Sequence, residues 1–193
     1  MMFLGFFAGC WNPFEGRSAE DPSGETSRYK QPTTPQSALY NLQWSLMEKN
    51  IANFQSTLSN NFIFKLDMQD VQEYGWSVSS WNLTQETDIT SAMFSRANQY
   101  QKPDTISVIL MVDPDIPDPT NYTASVILYR LYRVAFPGSS YAPNDSLAAR
   151  GRMKVTLTKD ASNLWYISEW DDFREKSDTS NVSSWGRVKW EYR

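Results

Sequence analysis

The sequence predicts an α+β fold, in which a curved, mostly antiparallel sheet wraps around helices from the N-terminal part of the chain. Two observations lead to this fold class. Apolar residues recur at every third or fourth position between residues 34 and 58, which is the spacing of helices that bury one face. Apolar runs rich in β-branched and aromatic residues fill most of the chain after residue 105, and such runs are typical of strands. The expected order of elements is α-α-β-α-β-β-β-β, arranged as a cone.

The helical part is expected to open at Pro35, because Thr34 is a good N-cap residue and proline is favoured in the first helical turn. The apolar stripe that follows predicts a helix to about residue 49, and residues 51–58 are interpreted as a second, short helix. The first strand comes next, where apolar residues alternate at Phe62, Phe64 and Leu66.

The polar stretch from residue 67 to residue 80 has no periodic pattern, and no element is predicted there. A third helix is expected from Asp88 to about residue 98, since Ile89, Met93 and Phe94 share one helical face.

The second half of the chain is predicted to consist of strands. They are expected at residues 105–112, 122–136, 152–158 and 164–170, and residues 182–192 are a candidate last strand. Prolines alternate with aspartates over residues 113–119, where a strand cannot continue. This run is therefore expected to connect two strands as a wide hairpin.

The N-terminal residues resemble a bacterial lipoprotein signal with its lipobox. Residues 1–9 are apolar and end in Ala8-Gly9, directly before Cys10, the single cysteine of the chain. Such a signal places the acylated cysteine at the start of the mature protein, so Cys10 is the predicted lipidation site. No Lys or Arg precedes it, and an ordinary apolar N-terminus with a chance cysteine is the alternative.

Residues 10–33 are rich in Pro, Gly, Ser and charged residues, and this composition predicts a flexible tether. Such a tether spans about 25–30 Å. The folded domain is expected to occupy residues 34–193, and removal of the residues before about Pro32 is expected to leave its folding intact. The protein would then lie at the bacterial cell envelope, on the outer membrane or the periplasmic face in a Gram-negative cell.

Composition argues against several function classes. The chain has no histidine, which removes the side chain that most often transfers protons or binds zinc. The net charge of −4 provides no basic footprint for nucleic acid. One cysteine excludes an intramolecular disulfide, and no phosphate-binding glycine motif occurs. No cofactor, metal or nucleic-acid partner is therefore expected, and a non-enzyme is favoured.

Three short motifs carry a resemblance to a known superfamily. They are Pro35-x-x-Ala38-Leu39-x-x-Leu42 in the first helix, Asn61-Phe62-x-Phe64 at the first strand, and Trp165-x-Ile167-x-x-Trp170-x-Asp172 near the end. With the order of elements, they resemble the nuclear transport factor 2-like superfamily, also called SnoaL-like or the cystatin-like cone, and in particular its uncharacterised bacterial lipoproteins. The resemblance implies a pocket inside the cone and a dimer interface on one sheet face. Its enzymes use Asp or His there, but no catalytic residue can be assigned in this chain.

Several charged residues have two interpretations. Asp113, Asp115 and Asp118 have the ligand type that calcium prefers, but solvated loop charges are the favoured interpretation. Glu169, Asp171 and Asp172 suggest a carboxylate pair for acid/base chemistry, although an exposed strand end is favoured. Arg130 and Arg133 point to opposite sheet faces, and either is expected to bind an anion in a pocket or, preferentially, to form an ion pair.

The residues expected to face the interior of the cone, and to line any pocket there, are Trp44, Phe62, Phe64, Leu128, Arg130 and Trp170. A filled interior is predicted. The functional conclusion is a lipid-anchored envelope protein with a non-catalytic binding or assembly domain, whose partner is another protein or a second copy. The alternatives are a small-ligand carrier and a cone-fold enzyme that uses carboxylates. The enzyme would lead if an open cavity contained a buried carboxylate among Asp67, Asp70, Asp88, Glu169 and Asp171.

Overall fold

The structure is a computed structural model that describes residues 28–99, 106–135, 147–175 and 183–193. Two helices open the fold, α1 over Pro35–Met47 and α2 over Ile51–Ser56. The predicted cap of α1 is confirmed, because the side chain of Thr34 accepts a hydrogen bond from the backbone N–H of Ser37. Two more helices follow, α3 over Met68–Glu73 and α4 over Leu83–Gln99, and α5 ends the chain over Trp185–Trp190.

Within the described residues, six strands form one mixed, open sheet in the order β2-β1-β6-β5-β4-β3. Their bounds are β1 Leu58–Lys65, β2 Ser80–Asn82, β3 Ser107–Val112, β4 Ser125–Ala135, β5 Leu147–Lys159 and β6 Trp165–Arg174. Strands β1 and β6 run parallel, whereas every other neighbouring pair is antiparallel. The α+β class with an N-terminal helical side is thereby confirmed.

Four elements, α3, β2, α4 and α5, differ from the prediction. Residues 67–80 were predicted to be irregular, yet they contain α3 and the start of β2; Asp67 caps α3 by accepting from the N–H of Gln69. Helix α4 begins at Leu83, ahead of the predicted Asp88.

The candidate last strand at residues 182–192 is wrong, because the chain forms α5 there. Ser184 caps α5 by accepting from the N–H of Arg187, and Trp185 and Val188 bury the same helical face. Trp185 and Val188 are three residues apart, which fits one face of a helix, although apolar residues in this segment also alternate as in a strand. Burial of that face against the core stabilises the helix.

The two faces of the sheet have different environments. We call the face that packs against the helices the inner face, and it carries Phe64, Leu128, Tyr132, Val155 and Trp170. The opposite side is the outer face, where alternate residues of the same strands lie: Ile109, Met111, Ile127, Leu131, Lys154 and Phe173. Because side chains alternate along a strand, each strand contributes to both environments.

Candidate functional site

The interior of the cone is occupied by the chain's own C-terminal helix. Trp185 and Val188 of α5 are buried in the main core. The helix contacts β5, β6 and α4. A helix in this position fills space that a ligand would otherwise need, so the interior is a packed core at this end.

A buried polar cluster holds the N-terminus of α5. The backbone N–H of Trp185 donates to the Tyr132 hydroxyl oxygen over 2.9 Å, and that of Gly186 donates to Asp172 Oδ2 over 2.6 Å. Tyr132 in turn donates to Asp172 Oδ1 over 2.7 Å. The first amides of a helix have no partner within the helix, and these acceptors satisfy two of them.

Burial changes the acid/base properties of this cluster. It raises the pKa of Asp172 to about 7, against the opposing effect of the Gly186 amide and the Tyr132 hydroxyl that donate to it. Burial also raises the pKa of Tyr132, as does the neighbouring Asp172 carboxylate. Asp70, which accepts from the Ser184 hydroxyl over 2.5 Å, likewise has a pKa raised by burial.

A second buried pair joins α5 to α4. Lys189 and Glu86 form an ion pair, and neither side chain has any exposed surface. Glu86 Oε2 also accepts from the Trp81 indole N–H over 2.7 Å, and Lys189 Nζ lies 4.1 Å from the centre of the Phe64 ring. Burial lowers the pKa of Lys189, while Glu86 acts in the opposite direction.

The Lys189–Glu86 pair was not predicted from the sequence. Glu86 lies three or four positions before Ile89 and Thr90 on the buried face of α4, and this placement of a charge on an apolar stripe was the available signal. Lys189 carried no such signal, because its segment was interpreted as a strand. Its partner is 103 residues away in the sequence.

The residues predicted to line an interior pocket are placed in the core or on its border. Phe62, Phe64, Leu128 and Trp170 are buried apolar residues, whereas Trp44 is half-buried and contacts Tyr40 and Arg28. None of the six lines either of the clefts described below. Cys10 lies outside the described residues.

The aspartates of residues 113–119 form ion pairs with arginines. Arg130 is buried and binds Asp118 through two parallel hydrogen bonds of 2.6 and 2.7 Å, which lower the pKa of Asp118. Asp113 pairs with Arg152 Nε over 2.5 Å and is fully buried, so the interpretation as a solvated charge is wrong for this residue. Within the described ranges, no three potential ligands lie close enough together to hold a metal ion.

The outer face carries an open cleft of about 570 Å³ between β3, β4, β5 and β6, which we call the outer cleft. Its floor is apolar, with Met111, Leu131 and Phe173 as contributors. Arg133 and Arg150 lie at one end and are directly opposite each other on β4 and β5. Glu175 pairs with Arg150. Like charges opposite each other destabilise a sheet, and Glu175 offsets the charge of Arg150. A further anion would be favourable beside the guanidinium group of Arg133.

A second cleft of about 520 Å³ lies beside α3, and we call it the edge cleft. Two of the carboxylates named as candidate acids and bases line it. Asp67 accepts from the backbone N–H groups of Gln69 and Arg174 over 2.7 and 2.8 Å, and Asp171 pairs with Lys65 and Lys154. Asp172 also contributes to its wall. Asp67 is buried, so this open cleft meets the condition stated above for a carboxylate enzyme. Asp67 and Asp171 both have structural partners already, however, and the cleft lies beside α3 instead of inside the cone. Carboxylate catalysis therefore remains an alternative.

Comparison with known proteins supports the fold. No known family profile and no curated protein sequence matches the chain. A candidate aromatic ring hydroxylase from Novosphingobium aromaticivorans aligns with a TM-score of 0.53 at 10% identity, over 82% of this chain and 96% of its own. A protein of unknown function from Mycobacterium tuberculosis aligns with a TM-score of 0.50 at 10% identity, over 75% of this chain and 71% of its own.

A nuclear transport factor 2-like protein of unknown function from Pseudomonas putida aligns with a TM-score of 0.48 at 7% identity, over 75% of this chain and 88% of its own. Proteins described as nuclear transport factor 2-like and as having a cystatin-like fold are thus among the structures to which the chain is similar. Identities this low establish the fold alone.

Within the described residues, no helix has both the length and the apolar character required to cross a bilayer.

Proposed function

We propose that this protein is a lipid-anchored envelope protein whose domain binds its partner on the outer face of the sheet, without catalysing a reaction. The observation that carries the proposal is the contrast between an interior filled by α5 and an open, apolar cleft on the opposite face. A binding site needs accessible surface, and the outer cleft provides it.

The chemistry of the outer cleft supports a particular kind of partner group. A volume of about 570 Å³ lies in the range of small-ligand sites, which combine apolar walls with few polar groups. Phe173 and Met111 offer exposed apolar area, and the planar fork of Arg133 suits a carboxylate, whereas Arg150 beside it already pairs with Glu175. The partner is therefore expected to present a carboxylate next to an apolar body.

Calorimetric titration with decanoate tests this site. The full chain is used with Cys10→Ser, which keeps it unacylated, and decanol serves as the ligand with the same apolar chain and no carboxylate. Decanoate should bind at least about tenfold more tightly than decanol, since charge-assisted bonds to arginine are strong. Arg133→Ala should weaken decanoate binding by a similar factor.

Lys159→Ala is the matched control, because Lys159 is a cation on the far end of β5 that contacts the Trp165 ring instead of the cleft. It should leave the affinity unchanged. Failure of decanoate to bind at millimolar concentration, or equal binding by Arg133→Ala, contradicts the proposed site.

The anchor is tested separately. In a bacterium that processes lipoproteins, the mature protein should begin with an acylated Cys10 and sediment with membranes, whereas Cys10→Ser should not be acylated. Mass spectrometry of the N-terminus distinguishes these outcomes. An intact, unacylated Met1 end in a wild-type protein expressed together with any upstream coding sequence would contradict the anchor.

Acid/base catalysis by Asp172 is the second candidate function. A pKa of about 7 suits a general base near neutral pH, and the Tyr132 hydroxyl is bonded to the same carboxyl group. Catalysis from the interior would require α5 to leave, because the amides of Trp185 and Gly186 occupy these two side chains. Asp172 also borders the edge cleft, but it is only 1% exposed. Hydrogen exchange decides between the candidates: exchange of both amides well below the free energy of global unfolding supports catalysis, and exchange only on global unfolding excludes it.

A further inference from the structure

The two edges of the sheet differ in how far they are protected from pairing with another chain. One edge is β2, which is only three residues long. The other edge is β3, which has six residues and pairs with β4 without any register shift. Natural edge strands are usually shortened, bulged or charged to prevent pairing, and β3 has none of these features.

The backbone of β3 directs a regular row of hydrogen-bonding groups away from the sheet. The N–H of Asp113 donates to the carbonyl of Tyr129, so the odd-numbered residues of this ladder bond to β4. The even-numbered residues then point outwards, because bonding alternates along an antiparallel strand. In agreement, the Val108 carbonyl accepts from the side chain of Gln43, over 2.8 Å. Among the described residues, the outward groups of Leu110 and Val112 have no strand partner.

The side chains of β3 are uncharged along its whole length, Ser-Val-Ile-Leu-Met-Val. Ile109 and Met111 are 47% and 38% exposed on the outer face, and Val112 is 52% exposed. An uncharged, β-branched strand with open backbone groups can pair with a copy of itself without opposing like charges. Its own sequence is therefore a suitable complement.

We propose that β3 pairs with β3 of a second copy of this chain, antiparallel, with Leu110 opposite Leu110 of the partner subunit. In this register Leu110 exchanges two backbone hydrogen bonds with its counterpart. Val108 of each copy lies opposite Val112 of the partner subunit. The backbone N–H of the partner's Val112 then replaces the Gln43 side-chain amide as the donor to the Val108 carbonyl. On the outer face, each Ile109 lies opposite Met111 of the partner subunit.

The pairing closes after two copies. It joins the two sheets into one of twelve strands, since the described part of each copy contributes six. The remaining edges are the two β2 strands, which are too short to propagate the sheet. Isologous contacts of this kind give a closed dimer. The area of a single strand pair is small, so the dimer is weak and concentration-dependent.

Sedimentation velocity with charged variants at the outer-face pair tests the register. The full chain with Cys10→Ser is measured from micromolar to high micromolar concentration, without decanoate. Ile109→Glu with Met111→Glu places carboxylates opposite each other twice and should raise the dimer dissociation constant by at least about tenfold. Ile109→Glu with Met111→Lys places opposite charges there and should restore dimerisation to within about threefold of the parent.

Ile127→Glu is the control for the broad outer face, because Ile127 is 45% exposed on β4 and lies away from the edge. It should leave the dimer unchanged. A parent protein that stays monomeric throughout overturns the proposal, as does a dimer that Ile127→Glu weakens and the paired charges do not. Met111 belongs to both the β3 edge and the outer cleft, but sedimentation is measured without decanoate. A missing dimer therefore leaves the decanoate titration of the parent protein unaffected, and the two proposals can fail separately.

Discussion

The two faces of the sheet use their charged residues in opposite ways. On the inner face, Lys189 and Glu86 form an ion pair with no exposed surface, and Asp172 binds the first amides of α5. On the outer face, Lys65, Lys154, Glu169 and Asp171 form a network that remains partly open to solvent. Lys189 lies against the rings of Phe64, Trp170 and Trp185, whereas water reaches every member of the outer network.

This contrast between the faces predicts which substitutions affect stability and which affect binding. Isolated buried charges are very costly, so those beneath α5 must keep their partners for the chain to fold. Solvated outer charges can exchange their partners at little cost. We therefore expect substitutions beneath α5 to act on stability and substitutions on the outer face to act on binding.

The largest expected effect compares two lysines. Lys189→Met removes the buried cation and leaves Glu86 buried without its counter-charge, which should lower the free energy of unfolding by about 3–5 kcal/mol. Lys154→Met makes the same change on the outer face, where water still reaches the side chain, and should cost less than about 1 kcal/mol. Urea denaturation of both variants measures the difference.

A second substitution identifies the cause of that loss. Glu86→Gln removes the orphaned charge but keeps an oxygen that accepts from Trp81. Added to Lys189→Met, it should recover a substantial part of the lost stability. Equal losses in the two lysine variants would contradict the contrast between the faces.

The next effect concerns the close approach of α5 to the sheet. A Cβ at Gly186 would lie 2.6 Å from Leu66 Cδ2 and 3.1 Å from Asp172 Oδ2. Gly186→Ala should therefore lower the free energy of unfolding by about 1–3 kcal/mol, although alanine favours helices more than glycine does. Leu66→Val withdraws the nearest carbon atom, so the double variant should lose less stability than the two single losses added together. Strict additivity in a double-mutant cycle would contradict this contact.

The buried polar cluster at the N-terminus of α5 also predicts that stability depends on pH. The pKa of Asp172 is raised from an ordinary value near 4 to about 7, so the folded state binds its proton more tightly than the unfolded state. Its contribution to stability is full below about pH 4 and is lost as the pH rises to about 7. Burial raises the pKa of Asp70 as well, so it acts in the same direction.

Asp172→Asn should flatten the fall in melting temperature between about pH 4 and pH 7. Asp118 provides the contrast, because Arg130 lowers its pKa and its contribution is lost only as the pH falls below about 4. Thermal unfolding at a series of pH values separates the two windows. An unchanged profile in Asp172→Asn would mean that Asp172 does not titrate in this range.

The parts that could be predicted from sequence are those set by local chemistry. Thr34 and Pro35 mark α1 because capping and proline geometry act within one turn. Strands β4 and β6 are recognised because their apolar residues match one buried face. The pairing of Lys189 with Glu86 was not predictable in this way, since it depends on tertiary packing between α4 and α5. The α5 segment was misassigned for the same reason: a six-residue helix has a weak local signal and depends on its burial.

The smallest expected effect concerns residues 28–33, within the predicted tether. Lys30 exchanges two backbone hydrogen bonds with the side chain of Asn41, over 2.9 and 2.6 Å, and Pro32 accepts from the N–H of Trp165. Asn41 is buried, so deleting residues 11–33 should leave its amide unsatisfied and cost about 1 kcal/mol. For a domain of this size the melting temperature should fall by about 2–4 °C. Deleting residues 11–27 alone keeps these contacts and should leave the melting temperature unchanged. Equal melting temperatures for the two deletions would mean that residues 28–33 contribute only to the tether, as their composition suggests.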